Sequence, residues 1–316
     1  MNFTNVHEAI SHAGDLRFGQ TTRETTSRAL TLDFSESPDD ESVPVDNTIT
    51  VLRQLYAHVL RHPVDFPSVS HTYWYTPEEA SCVLLRFLWA DFSRTDDIAE
   101  AAHARIKQVV VQQLQPEQLT VAGLLDTPLL QTTLWRRPEF ALFHRTCFCR
   151  SGGDGPRNEG VWQMIPSDRS PHETVYYDGS DELGAVLSCH FQPLMQPLWG
   201  ILVQYFFGQP VAISVRYHVT QPRSFTELQA VDFTGKTLGP PQGPAMPPQV
   251  WVRQFDYRLV AVVRCGDGGE VKDSVRLYSL GGEPVWRDAE TWSIGDTPDA
   301  DYLLFYAVAL EGVAQG

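Results

Sequence analysis

The chain has 316 residues, 42% of them hydrophobic and 20% charged, with a formal net charge of −15. This is the composition of a globular chain; its acidic balance disfavours nucleic acid, whose phosphates demand Lys/Arg patches, and suits a basic protein surface. No apolar run approaches the ~18 residues of a membrane span, and the opening MNFTNVHEAISHAG lacks the basic start and apolar core of a secretory signal. Five irregularly spaced cysteines (Cys82, Cys147, Cys149, Cys189, Cys265) then read as reduced thiols of the cytosol or nucleus.

The first third reads as helical. In 48-TITVLRQLYAHVLRHP-63, Val51, Leu52, Leu55, Val59 and Leu60 fall on one face, and the helix ends before Pro63. In 76-TPEEASCVLLRFLWADFSR-94, Thr76 is the expected N-cap, Pro77 takes the first helical position and Glu79 completes a capping box. Apolar residues on both sides predict a largely buried helix with a polar stripe through Glu79, Arg86 and Ser93. A third helix is expected over 96–114, with Ile98, Ala101, Ala102, Ile106, Val109 and Val110 facing inward.

After about residue 135 the pattern changes to strands: 139–149, 160–165, 210–219, 226–233, 257–265, 274–280 and 302–309, each rich in Val, Leu and aromatic residues and bounded by turn formers. A short apolar helix, 181-DELGAVLSCHF-191, interrupts them. Loops are expected at 35-SESPDDESVPVD-46, 151-SGGDGPRNEG-160 and 239-GPPQGPAMPPQ-249. Helices first and strands later is the order of an α+β protein.

Several chemical motifs fail on their own context. In 230-AVDFTGKT-237, a phosphate-loop look-alike, Pro240 and Pro241 forbid the helix whose amides would hold the phosphate. His144, Cys147, Cys149, Cys189 and His190 have zinc-ligand chemistry, but C-x-C is not the usual knuckle and no second pair follows, so buried small hydrophobes are the favoured reading. Cys82 lies beside Glu78 and Glu79, which oppose thiolate formation. No G-x-S-x-G occurs. Asp96 and Asp97 read as helix-start charge, and His58 and His103 as surface or packing residues.

Taken together, the segments resemble the ubiquitin-specific proteases. The run 257-YRLVAVVRCGDGGEVKDSVRLY-278, Trp286 and 301-DYLLFY-306 match that family's YRLVAVVVH strand, its glycine turn into Gly-His-Tyr-Val-Ala-Tyr, a tryptophan-bearing strand and a final AYLLFY strand. The segments 51-VLRQLYAHVLRHPVDFPS-68 and 77-PEEASCVLLRFLWADF-92 are similar to its LQ-x-L-F-x-x-L and QQDAxEFLxxLLDxL helices. The run 210-PVAISVRYHV-219 is similar to its PPVLxIxLKRF strand, residues 139–165 to its finger strands without the paired zinc knuckles, and 4-TNVHEAISHAGDLR-17 to the helix after its Thr-Cys-Tyr.

The resemblance implies a papain-like fold of the thumb–palm–fingers type in one domain over 1–316: a helical thumb over 1–135, fingers over 136–200 and a palm sheet over 200–316. It also implies lost chemistry. On this register Met1 takes the nucleophilic cysteine's position and Asp273 the histidine's, while the orienting position falls near Asp288 in 286-WRDAE-290. No histidine follows His218, so no shift of register restores one. A Thr-Cys-Tyr upstream of Met1 would restore the nucleophile alone. Glu78 and Glu79 stand where an oxyanion-supporting glutamine belongs. An aspartate cannot serve as the imidazole, because its carboxylate raises the pKa of a neighbouring thiol; loss of the nucleophile or base costs on the order of a million-fold in turnover.

The expectation is a catalytically inactive homologue that binds ubiquitin or a ubiquitin-like protein, with no cofactor, metal, nucleic acid or membrane partner. Its tail groove would lie between the 77–92 helix and the 257–278 strands, walled by Glu78, Glu79, Asp273, Tyr278 and Trp286. The alternatives are a scaffold subunit that keeps the fold without ubiquitin binding, and a live thiol hydrolase using Cys82, Cys147 or Cys265.

Overall fold

The structure, a computed structural model, describes residues 20–31, 43–61, 82–90, 92, 97–113, 120–143, 146–151, 162–166, 173–191, 195–198, 201–239, 249–266, 272–287 and 292–309. It is an α+β fold in which a helical N-terminal lobe packs on a C-terminal sheet. Among the described residues no helix is long and apolar enough to cross a membrane.

The lobe contains α1 (Gln20–Leu30), α2 (Val43–Arg61), α3 (Val83–Leu88), α4 (Asp97–Gln113), α5 (Val121–Leu125) and α6 (Pro128–Thr132). Helix α2 is its axis. The sequence predicts a helix buried on one face; instead every residue from Val45 to Leu60 except Thr50 is buried. The reason is that α1, α3, α5 and the sheet all pack around it. Its polar residues are therefore bonded inside the protein. The Arg53 guanidinium, 2% exposed, donates to the carbonyls of Ala29 (2.6 Å), Leu30 (3.0 Å), Leu88 (2.7 Å) and Ala90 (3.1 Å) and lies 4.6 Å from the Phe92 ring centroid. Those carbonyls sit at the C-terminal ends of α1 and α3, where helices leave acceptors unpaired and carry partial negative charge. Asp46 forms a buried ion pair with Lys107 of α4 at 2.6 Å.

That pair also corrects the predicted inner face of α4. Ile98 is 79% exposed, and Ala101 and Ala102 face solvent. Val110 is buried and Ile106 packs against the core as expected, while Lys107 also turns inward and the His103 ring lies 4.7 Å from that of Phe92. The helix expected over 76–94 is short where it is described. Cys82 has extended backbone angles (φ −84°, ψ 114°) and acts as the N-cap of α3, and Trp89 ends the helix. Thr76, Pro77 and Glu79 lie outside the described residues.

Two sheets follow. One is antiparallel, in the order β2–β1–β5–β4, from β1 (Thr146–Ser151), β2 (Trp162–Pro166), β4 (Met195–Leu198) and β5 (Ile201–Gln204). The other has seven strands: β3 (Val175–Tyr177), β6 (Ala212–His218), β7 (Ala230–Leu238), β8 (Val250–Arg264), β9 (Ser274–Tyr278), β10 (Pro284–Arg287) and β11 (Asp301–Val308). Its order is β10–β9–β8–β11–β6–β3, with β7 added on β8; all pairs are antiparallel except β3 with β6. Strand β3 falls within 136–200 in sequence yet joins the larger sheet.

Two expected strands are revised. Residues 139–142 are not strand, because the Glu139 carbonyl accepts from the amides of Val211 and Ala212 while the Ala141 amide turns back to Arg137; Phe143 makes an isolated antiparallel bridge with Phe207, and β1 begins at Thr146. Residues 225–228 form a helical turn, α8 (Phe225–Leu228), capped by Ser224 and Glu227 in a reciprocal box. The strand after it runs on through Gly235, Lys236 and Thr237, so the phosphate-loop look-alike is extended chain.

Helix α7 (Leu183–His190) lies on β7. Gly184 permits this: a Cβ there would stand 2.3 Å from the Asp232 carbonyl oxygen. Beneath it Phe191, Phe207, Phe233 and Phe255 form an aromatic cluster, with Phe191 and Phe207 centroids 4.4 Å apart. The main core continues along β11, all of whose residues but Asp301 are buried.

Candidate functional site

Asp273 directly precedes β9, beyond the glycine-rich sequence that follows β8. Asp273 is 8% exposed. Its Oδ1 accepts from the Gly266 amide at 2.7 Å and its Oδ2 from the amide of Val121. Its own backbone carbonyl accepts from the Asn47 side-chain amide at 2.8 Å. One residue therefore ties the sheet to two helices. Val121 is the first residue of α5, where amides lack helical partners, so a carboxylate is a fitting acceptor. Burial raises the Asp273 pKa, and the two amide hydrogen bonds oppose that rise.

The neighbouring thiol is inert. Cys265 follows β8 directly, and its amide donates to the Asp301 carbonyl at 2.8 Å. Its pKa is pushed up to about 12, first by burial, then by the carboxylates of Asp273 and Asp301. Cys82 is 1% exposed and caps a six-residue helix. Both lack the electropositive, accessible setting a nucleophilic thiolate requires.

Of the expected groove residues, Tyr278 is buried at the end of β9. Its ring lies 4.6 Å from that of Phe225, and its carbonyl accepts from Gln54 of α2 at 3.1 Å. Trp286 lies in β10, paired with Leu277; its side chain, and all of Met1, Glu78, Glu79 and Asp288, lie outside the described residues. Asn47, Gln54 and Val121 were not singled out by the sequence. Asn47 and Gln54 donate to backbone carbonyls and Val121 to a side-chain carboxylate, all more than 150 residues away, which no local pattern signals.

Cys147 and Cys149 are alternate residues of β1, opposite Ile165 and Gln163 of β2, so they share a sheet face. Their side chains and His144 lie outside the described residues. Cys189 is exposed on α7. Among the described residues no three His, Cys, Asp or Glu side chains are grouped to hold a metal.

No family model matches the chain, and no curated protein matches it. Solved structures do resemble it. The SAGA deubiquitinating module of Ubp8, Sgf11, Sgf73 and Sus1 aligns at 12% identity and TM-score 0.37, over 90% of this chain and 69% of that one. The Saccharomyces cerevisiae Pan2 pseudoubiquitin hydrolase–RNA exonuclease module, with A7 RNA, aligns at 11% identity and TM-score 0.44, over 89% of this chain. This chain spans 56% of that module's length. The Saccharomyces cerevisiae Pan2 pseudoubiquitin-hydrolase aligns at 11% identity and TM-score 0.29, over 93% of this chain and 80% of that one. These are distant geometric likenesses, and the functional reading rests on the chain's own residues.

Proposed function

We propose that this chain is a hydrolytically inactive homologue of the ubiquitin-specific proteases that works by binding protein, with ubiquitin or a ubiquitin-like protein as the partner. One observation carries the loss of catalysis: the side chain at the histidine's expected position, Asp273, spends both carboxylate oxygens on backbone amides. It is a structural acceptor and has no imidazole's capacity to take a proton from a thiol at neutral pH. On the sequence register the cysteine's position falls on Met1, which carries no thiol.

Ubiquitin bearing a thiol-reactive C-terminus tests the first half of the proposal. It should leave all five cysteines unlabelled; a covalent adduct would return the chain to the hydrolases. Titration with labelled ubiquitin tests the second half, with saturable binding expected.

A second reading, a scaffold that keeps the fold and does not bind ubiquitin, is favoured by the bonds from Asn47 and Val121 to Asp273. They join the lobe to the sheet at Asp273, one of the residues expected to wall the tail groove. Absent or millimolar ubiquitin binding selects it.

A further inference from the structure

At the β3 end of the larger sheet, over β3, β6 and the start of β11, a surface cleft of about 460 Å³ opens. That volume lies within the range of ligand-binding pockets. Strand register fixes its wall. Tyr176 stands opposite Arg216 and Asp301 opposite His218, and directly paired residues project on the same face. Val186 of α7 adds an apolar side and Asp178 a carboxylate at the end of β3. Tyr176 is 71% exposed, an unusual position for a large aromatic ring.

The charges are unbalanced. Among the described residues that line the cleft, Arg216 is the one lysine or arginine. It lies 3.8 Å from Asp301, and its charge also lowers the pKa of Asp126, which burial raises. Asp301 also meets His218 Nδ1 at 3.2 Å. Asp178 accepts from the Ser180 amide and hydroxyl, both at Oδ1; these bonds keep it ionised. Two carboxylates, Asp178 and Asp301, line the cleft against one guanidinium, and Asp301 already faces that guanidinium and the His218 ring. A cation entering the cleft meets the Asp178 carboxylate and an exposed tyrosine ring, the two elements that hold an arginine or lysine side chain.

We propose that this cleft docks a basic peptide segment of a partner protein, with an arginine or lysine side chain stacked on Tyr176, its charge toward Asp178 and Asp301, and an apolar neighbour against Val186. The site does not depend on the inactive-hydrolase reading and would hold even if ubiquitin does not bind.

The test uses the full chain and a fluorescein-labelled peptide of alternating leucine and arginine at 150 mM salt, read by fluorescence anisotropy. Matched leucine–glutamine and leucine–glutamate peptides serve as controls. The arginine peptide should bind saturably and the controls should not. Tyr176→Ala should weaken binding by ~2- to 5-fold, the size of one exposed cation–π contact, and Asp301→Asn by about 5-fold. Asp232→Asn, an exposed carboxylate on β7, should leave it unchanged. Because Tyr176 is largely exposed, its substitution spares the fold. Absence of binding, equal binding of the glutamate peptide, or a loss with Asp301→Asn but none with Tyr176→Ala would overturn the proposal, the last by reducing it to net-charge attraction.

Discussion

The carboxylate of Asp273 accepts a hydrogen bond from the backbone amide of Val121, a residue 152 positions earlier in the chain. A residue leading into a strand thus tops a helix, and the same side chain ties Gly266, just after β8, to the helical lobe.

Removing that acceptor leaves one buried amide, that of Val121, and one half-buried amide, that of Gly266, without it. Asp273→Ala should cost ~2–4 kcal/mol, and Asp273→Asn, which keeps one acceptor oxygen, about half as much. Urea unfolding followed by tryptophan fluorescence measures both. Asp273→His, which restores the imidazole in name, should also destabilise and should produce no reaction with the ubiquitin probe. A stable, probe-reactive Asp273→His protein would show that the site needs only its histidine.

The thiols give a second expectation. With its pKa pushed up to about 12, Cys265 stays protonated near neutral pH. Iodoacetamide at pH 8, followed by peptide mass analysis, should modify exposed Cys189 well before Cys265 and buried Cys82. Asp273→Asn removes the second largest cause of the Cys265 shift, so its alkylation should quicken in that variant.

Arg53 bears on stability alone. Its guanidinium donates four hydrogen bonds to the ends of two helices, all inside the lobe. Arg53→Met removes the donors and leaves the carbonyls buried, at a cost of ~3–5 kcal/mol. Arg53→Lys should recover part of this, because an ammonium lacks the planar fork that reaches four acceptors. Thermal unfolding of the three proteins should give the order Arg, Lys, Met.

A pH effect is expected at α8. Glu227 has its pKa lowered to about 2 by hydrogen bonds from the Ser224 amide, the Ser224 hydroxyl and Arg223. A carboxylate whose folded pKa is depressed binds fewer protons folded than unfolded, so it stabilises above the unfolded value and loses that contribution as pH falls. The window runs from about 4.5 down to about 2. Glu227→Gln should flatten the acid limb of the stability curve there, and the wild-type side-chain carboxyl should titrate near the bottom of it by NMR.

The α+β order was legible because hydrophobic period and turn residues are local properties. The α2 stop before Pro63 and the α7 helix were readable for the same reason, and strands β6, β8, β9 and β11 could be located. The errors share one cause as well. Ile98 looks inward on helical spacing, yet the Asp46–Lys107 ion pair sets the rotation of α4. Residues 139–142 look like a strand, yet the amides of Val211 and Ala212 claim the Glu139 carbonyl.

The sequence by itself determined which residues are present: a long apolar strand into a glycine turn, an aspartate beyond it, and no histidine after His218. Tertiary structure decided what those residues do. Only packing brings Asn47, Val121 and Gly266 around Asp273, and only strand register lines up Tyr176, Arg216, His218 and Asp301 along one cleft. Local propensity is carried by neighbours in the chain, whereas a buried carboxylate's partners and a cleft's charge balance are set by groups that meet only when distant segments pack.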